Sequence, residues 1–180
     1  MTALGLALSV VCGFVAACGS NTAPTPTRAP VILQFSALTG PTDFLDQITE
    51  QGFQVRGLYY WFNNAGYGNP APSIWLYRNM RSSEVTGDLT VTAVDGGLFT
   101  FTSVDLSPVQ PTSYTLTGTK SEQTVFVKTG TAPHINGQLF STLQGDHPDT
   151  LLDTLVISMI EPFNPCCEGY TYVDNISLKR

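Results

Sequence analysis

Residues 88–106, DLTVTAVDGGLFTFTSVDL, decide the fold. Leu89, Val91 and Ala93 alternate with Asp88, Thr90 and Thr92, the period of a strand that buries one face. Asp95-Gly96-Gly97 is turn chemistry. Beyond it the apolar phase moves from Phe99 and Phe101 to Val104 and Leu106, which one extra residue near Ser103 explains as a β-bulge. A bulge bends its strand, so the segment reads as two antiparallel strands in a curved sheet.

Working outward, the same period recurs. Phe53, Val55, Tyr59 and Trp61 alternate in GFQVRGLYYWF, Ile74 and Leu76 in SIWLY, and Leu155, Ile157 and Met159 in TLVISM. SYTLTGT, QTVFVKT and YTYVDNISL add strands, with turns at Ser107-Pro108 and from Gly145 to Pro148, for about nine strands in all. Only PTDFLDQITEQG spaces apolar residues four apart, at Phe44 and Ile48; with Gly52 as a stop it predicts a short helical turn. Many short strands without alternating helices imply an all-β chain, a single antiparallel β-sandwich of jelly-roll type.

The ends of the chain set its organisation. Residues 1–18, MTALGLALSVVCGFVAAC, carry no Lys, Arg, Asp or Glu, yet at about 18 residues the run is short for a span of roughly 20. It reads as an export signal. Val15-Ala16-Ala17-Cys18 resembles the lipobox of bacterial lipoproteins, which implies cleavage after residue 17 and acylation of the Cys18 sulfur. A plain secretory signal and an uncleaved anchor are the alternatives. Residues 18–30 are then the lipidated cysteine and a Pro/Thr-rich tether, GSNTAPTPTRAP, that cannot bury a core and reaches on the order of 35 Å when extended. Residues 31–180 form one domain, long enough to bury roughly 70% of its unfolded surface. The expected location is the bacterial cell envelope, with the membrane engaged through the N-terminal lipid.

Composition narrows the partners. With 42% hydrophobic residues, only 12% charged residues and a formal net charge of -6, the chain lacks the basic footprint of a nucleic-acid binder and has no electrostatic attraction to anionic surfaces.

The segments ITEQGFQV, GNPAPSIWLY, LTVTAVDGGLFTFTSVDL, TLLDTLVISM and YVDNISL together resemble the jelly-roll ectodomain of PEP-CTERM-type exported proteins. That ectodomain is itself similar to carbohydrate-binding modules of the galactose-binding-like class. The resemblance covers nearly all of residues 31–180. Lys179-Arg180 directly follows the last strand without a Pro-Glu-Pro sorting signal, so exosortase processing is not implied and the N-terminal lipid is expected to give retention.

Several residues are candidates for chemistry. If Ile74 and Leu76 face the core, Trp75 and Tyr77 face the other side of the sheet. By the same count Tyr60 and Phe62 share a face with Gln54 and Arg56, and the loop NNAGYGNPAP adds Asn64, Tyr67 and Asn69. Rings that stack on sugar C–H faces, beside amides and an Arg that bind hydroxyls, suit a glycan; the competing reading is that a loop or the second sheet buries these rings. Asp174 is in phase with Tyr172, Ile176 and Leu178, a carboxylate on an apolar face unless a bulge turns it outward. The resemblance implies that an acid near this strand helps hold one structural calcium ion, joined by Glu50 or Asp43; backbone hydrogen bonding at a sheet corner is the alternative, and Ser36 stands where a further acid would help.

Asp146, His147 and Asp149 in GDHPD read as a turn. No Gly-x-Ser-x-Gly elbow suggests a hydrolase. With Cys12 removed and Cys18 acylated, Cys166 and Cys167 are left to pair with each other or with another molecule. Their Cα atoms lie about 3.8 Å apart, below the usual range from about 4.4 Å, so a vicinal bond is strained and readily reduced. The resulting expectation is a non-catalytic, surface-anchored module that binds glycan or another extracellular polymer. The alternative is a structural or adhesive envelope lipoprotein acting through protein contacts.

Overall fold

The computed structural model describes residues 29–39, 44–62, 72–76, 84–133, 139–162 and 171–180, with backbone alone for 58–62, 84–86 and 161–162. The described residues contain no helix. Eleven strands run β1 (Val31–Leu33), β2 (Phe44–Glu50), β3 (Phe53–Phe62), β4 (Ser73–Leu76), β5 (Glu84–Ala93), β6 (Thr100–Pro108), β7 (Thr112–Lys120), β8 (Gln123–Ala132), β9 (Ser141–Gln144), β10 (Thr154–Pro162) and β11 (Thr171–Lys179). All pairings are antiparallel.

They form two sheets of a sandwich, as the alternation predicts. One has the order β2-β3-β5-β10-β7-β8; the other runs β3-β4-β11-β6-β9, with β1 also on β11. β3 belongs to both, which makes the hydrogen-bonded path continuous. Its first half pairs with β5, from Phe53↔Ala93 to Arg56↔Thr90, and its second half with β4, from Tyr59↔Leu76 to Phe62↔Ser73. Gly57 sits at the crossing, where a Cβ would collide with the Asp88 carbonyl oxygen. Only glycine lets the two backbones approach this closely.

The inner faces bury Val55, Leu89, Val91, Leu116 and Ile157 from one sheet against Leu33, Ile74, Leu106, Val173 and Ile176 from the other. Each fully buried aliphatic side chain contributes about 1.5–3 kcal/mol relative to exposure. Phe53 and Phe99 meet edge to face at 5.2 Å.

The bulge expected near Ser103 is present. β6 advances from Phe101 to Ser103 while β11 moves only from Leu178 to Ser177, so one residue of β6 is extra. This puts Phe101, Val104 and Leu106 all in the core.

The helical turn predicted over residues 41–52 is corrected: Phe44–Glu50 is a strand, paired with β3. Gln51 and Gly52 are not a helix stop but the two-residue loop of a hairpin, both at positive φ (47° and 81°), the geometry whose twist matches flanking strands. Ile48 and Glu50 face inward at a spacing of two, and Phe44 stands exposed. Pairing with β3 overrides the spacing of four.

Candidate functional site

The site expected from sequence centres on Trp75, and the structure gives its face. Ile74 and Leu76 belong to the core while Trp75 is half-buried outside it. Trp75 lies opposite Tyr172 of β11; their rings are parallel within 14°, centroids 6.4 Å apart. Tyr172 in turn lies opposite Ser107 of β6, and Tyr60 is Trp75's backbone partner on the other side. One register row across four strands therefore holds Tyr60, Trp75, Tyr172 and Ser107. Tyr172 is buried without belonging to the core.

Two residues along β11 and β6, Asp174 lies opposite Asp105, which pairs with Thr142 of β9. Asp174 is fully buried and Asp105 nearly so. Buried carboxylates require hydrogen bonds. Asp105 accepts from Thr142 Oγ1 at 2.6 Å and from Asn175 Nδ2 at 2.9 Å; Asp174 accepts from the Asn175 backbone N–H at 2.8 Å. Asn175 also accepts from Gln34 Nε2 at 3.2 Å.

Asn175 makes this arrangement possible. It adopts φ 46°, a left-handed conformation that Asn tolerates better than most residues, and the register slips by one residue beyond Asp174. The bulge sends Val173, Ile176 and Leu178 to the core and leaves Asp174 with Tyr172 on the other face. Simple alternation put Asp174 with Ile176 and Leu178; the bulge is the exception sequence reading had named. The half-buried, doubly bonded Asn175 amide is engaged in the fold.

The remaining expected residues are dispersed. Arg56 is exposed, but its cross-strand partners are Gln47 and Thr90 on the other side of the Gly57 crossing, so it is not in the Trp75 row. Tyr77, Asn64, Tyr67, Asn69, Asp43, Cys18, Cys166 and Cys167 lie outside the described residues. Glu50 is buried and holds the turn after β1: Oε2 accepts from Phe35 N–H at 2.7 Å and Oε1 from Ser36 Oγ at 3.2 Å. This bond steadies Phe35, fully buried at φ 56°.

Asp105, Ser107, Thr142 and Tyr172, which sequence reading did not nominate, are in the register rows of Trp75 and Asp174. The nearest signal was the alternation of Asp105 with Val104 and Leu106. For calcium, an all-oxygen set suits a hard cation. Among the described residues, though, no three or more His, Cys, Asp or Glu side chains gather closely enough to hold a metal. Asp174 or Glu50 would need hydroxyl and carbonyl oxygens to complete a shell.

The GDHPD segment is a turn, as expected. Thr150 N–H donates to the His147 carbonyl at 3.1 Å, Asp146 pairs with Lys128 at 2.6 Å, and the His147 ring lies 5.7 Å from that of Phe126. Arg180 grips Asp95 through two nitrogens at 2.9 and 3.0 Å, donates to the Gly52 carbonyl and lies over the Phe53 ring. The Gly97 backbone N–H, with the Arg180 guanidinium adding to it, holds the Asp95 carboxyl below its ordinary value.

At the level of sequence, no protein family and no curated protein matches the chain. The fold does have solved counterparts. A family 61 carbohydrate-binding module in complex with β-1,4-galactotriose is 8% identical, with 72% of this chain and 89% of that one covered at a TM-score of 0.47. The family 32 module from C. perfringens NanJ, in complex with galactose, is 14% identical over 84% of this chain and all of that one, also at 0.47. A cyclase from Fischerella sp. TAU is 13% identical over 82% and 96% at 0.45. Function has to be argued from the site.

Proposed function

We propose that residues 31–180 are a non-catalytic module that binds glycan or a similar extracellular polymer through the Trp75–Tyr172 face, and that Cys18 anchors it to a bacterial envelope membrane. The observation that carries the binding reading is the parallel pair of rings in register with Ser107 and one step from Asp105 and Thr142. Trp75, half-buried, is the ring left to stack on a sugar, backed by Tyr172 buried against it, and the exposed Thr142 hydroxyl at the edge of the same face is within reach of sugar hydroxyls. The arrangement holds no nucleophile–base pair among the groups named, and its carboxylates are tied to Thr142 and Asn175. Tyr77, Asn64, Tyr67 and Asn69 belong to the same proposal through their place in sequence beside Trp75; Arg56, across the Gly57 crossing, does not.

The anchoring reading rests on the uncharged apolar run of residues 1–18 and the Pro/Thr-rich stretch after it. A glycan array probed with the full chain, with Trp75→Ala as matched control, tests the binding half; palmitate labelling of wild type and Cys18→Ser tests the anchor. An array on which the full chain captures a protein but no glycan would favour the adhesive alternative.

A further inference from the structure

The end of the sandwich at which the chain enters carries an apolar surface. Val31, the first residue of β1, pairs with Leu178, two residues before Arg180. Arg180 reaches the β2–β3 turn at Gly52 and the β5–β6 turn at Asp95, and Val94 N–H donates to the Gly52 carbonyl at 3.0 Å. Phe99 bridges Leu152, and Asp153 caps the β7–β8 turn by accepting from Ser121 N–H at 2.6 Å. These turns therefore gather at one end. There Val94 is 61% exposed, Leu151 45%, Leu98 39% and Ile32 39%. They are four of the nine large hydrophobic side chains exposed among the described residues, and three of the four stand on these connecting turns.

What lies opposite this end follows from the chain. Residues 1–18 are apolar and uncharged, and about a dozen residues separate them from β1, so whatever holds the N-terminus is brought to this end and kept at high local concentration. The charges here are close to balanced, Lys120, Lys128, Lys179 and Arg180 against Asp95, Glu122, Asp146, Asp149 and Asp153, on a chain of net charge -6. We propose that Val94, Leu98, Leu151 and Ile32 seat the domain on the lipid surface itself, their side chains entering the interface while the tether lies slack. The contact is apolar, not electrostatic, and so accords with an acidic chain. It presents the Trp75–Tyr172 face sideways to the membrane instead of leaving it to rotate on a long leash. The proposal rests on the anchoring reading and is independent of the glycan reading.

The test uses the full chain, purified from membranes of an expressing bacterium and reconstituted in phosphatidylcholine vesicles containing brominated lipid. Val94→Trp should show tryptophan quenching and a blue shift beyond those of the parent. Leu139→Trp, an exposed position just before β9 at the other end of the sandwich, should match the parent. Leu98→Asp in the Val94→Trp background should abolish the extra quenching. Vesicle-bound chain with no extra quenching at position 94, or with more at 139 than at 94, overturns the seating alone. Chain that stays in the supernatant overturns the anchor and the seating together.

Discussion

Asp105 and Asp174 face each other across β6 and β11, two buried carboxylates in direct register. Asn175 supplies a bond to each: its side-chain amide to Asp105, its backbone N–H to Asp174. The partners Asp105 and Asn175 are 70 residues apart in sequence, so the pairing is a product of the fold and in turn locks the bulge that sorts the final strand into a core face and a site face.

Asn175→Ala should therefore destabilise the protein by about 2–3 kcal/mol, because it strands a buried carboxylate bond and places a Cβ without a compensating amide at positive φ. Asn175→Gly keeps the backbone conformation and loses only the two side-chain bonds, so a smaller cost of about 1–2 kcal/mol is expected. Urea unfolding of the three proteins checks this ordering; equal stability for Ala and wild type would show that the bulge does not depend on Asn175.

The β7–β8 hairpin turns through Ser121 and Glu122, both non-glycine residues at positive φ (50° and 64°). Glu122→Gly should raise stability by about 1 kcal/mol, since glycine adopts that conformation freely. A lower melting temperature would mean that the strain is offset by contacts of the Glu122 side chain.

Legibility in the sequence followed the period. The alternation in residues 88–106 named β5, β6 and even the bulge within β6, because a bulge shifts the phase of several core residues at once. Trp75 was assigned to the outer face for the same reason. Phe44 and Ile48 misled, since a spacing of four suits one helix face, whereas in β2 a register shift between Leu45 and Gln47 leaves Phe44 exposed and Ile48 buried. Arg56 was grouped with Tyr60 on parity alone; nothing local announces that Gly57 carries the strand from one sheet to the other. Asp105 went unnoticed because its meaning depends on Asp174, which no local pattern links to it.

Asp95 gives the fold an acid-sensitive fastening. Its carboxyl titrates below the usual 3.8 because of the Gly97 N–H and then Arg180. A lowered folded value contributes stability that is present above the unfolded value and is lost as pH falls through the folded one. Between pH 5 and pH 2 the wild type should thus lose more stability than Asp95→Asn, with the two curves parallel above pH 5. Parallel curves throughout would remove Asp95 from the account.

Calcium is testable by melting. If the ion binds through Asp174 or Glu50, millimolar calcium should raise the melting temperature relative to chelator, by mass action on the folded state. Asp174→Asn or Glu50→Gln, whichever holds the ion, should abolish that shift. No shift in the wild type would dismiss the ion.

The central claim is that Trp75 binds ligand and does not build the core, and calorimetric titration of the array-selected glycan into wild type and Trp75→Ala, paired with their unfolding curves, tests it most directly. The variant should lose about tenfold or more in affinity while giving up only about 0.5–1.5 kcal/mol of stability for the lost stack on Tyr172, against about 3–5 kcal/mol for Phe53→Ala in the core. Unchanged affinity in Trp75→Ala, or a stability loss as large as that of Phe53→Ala, would contradict it.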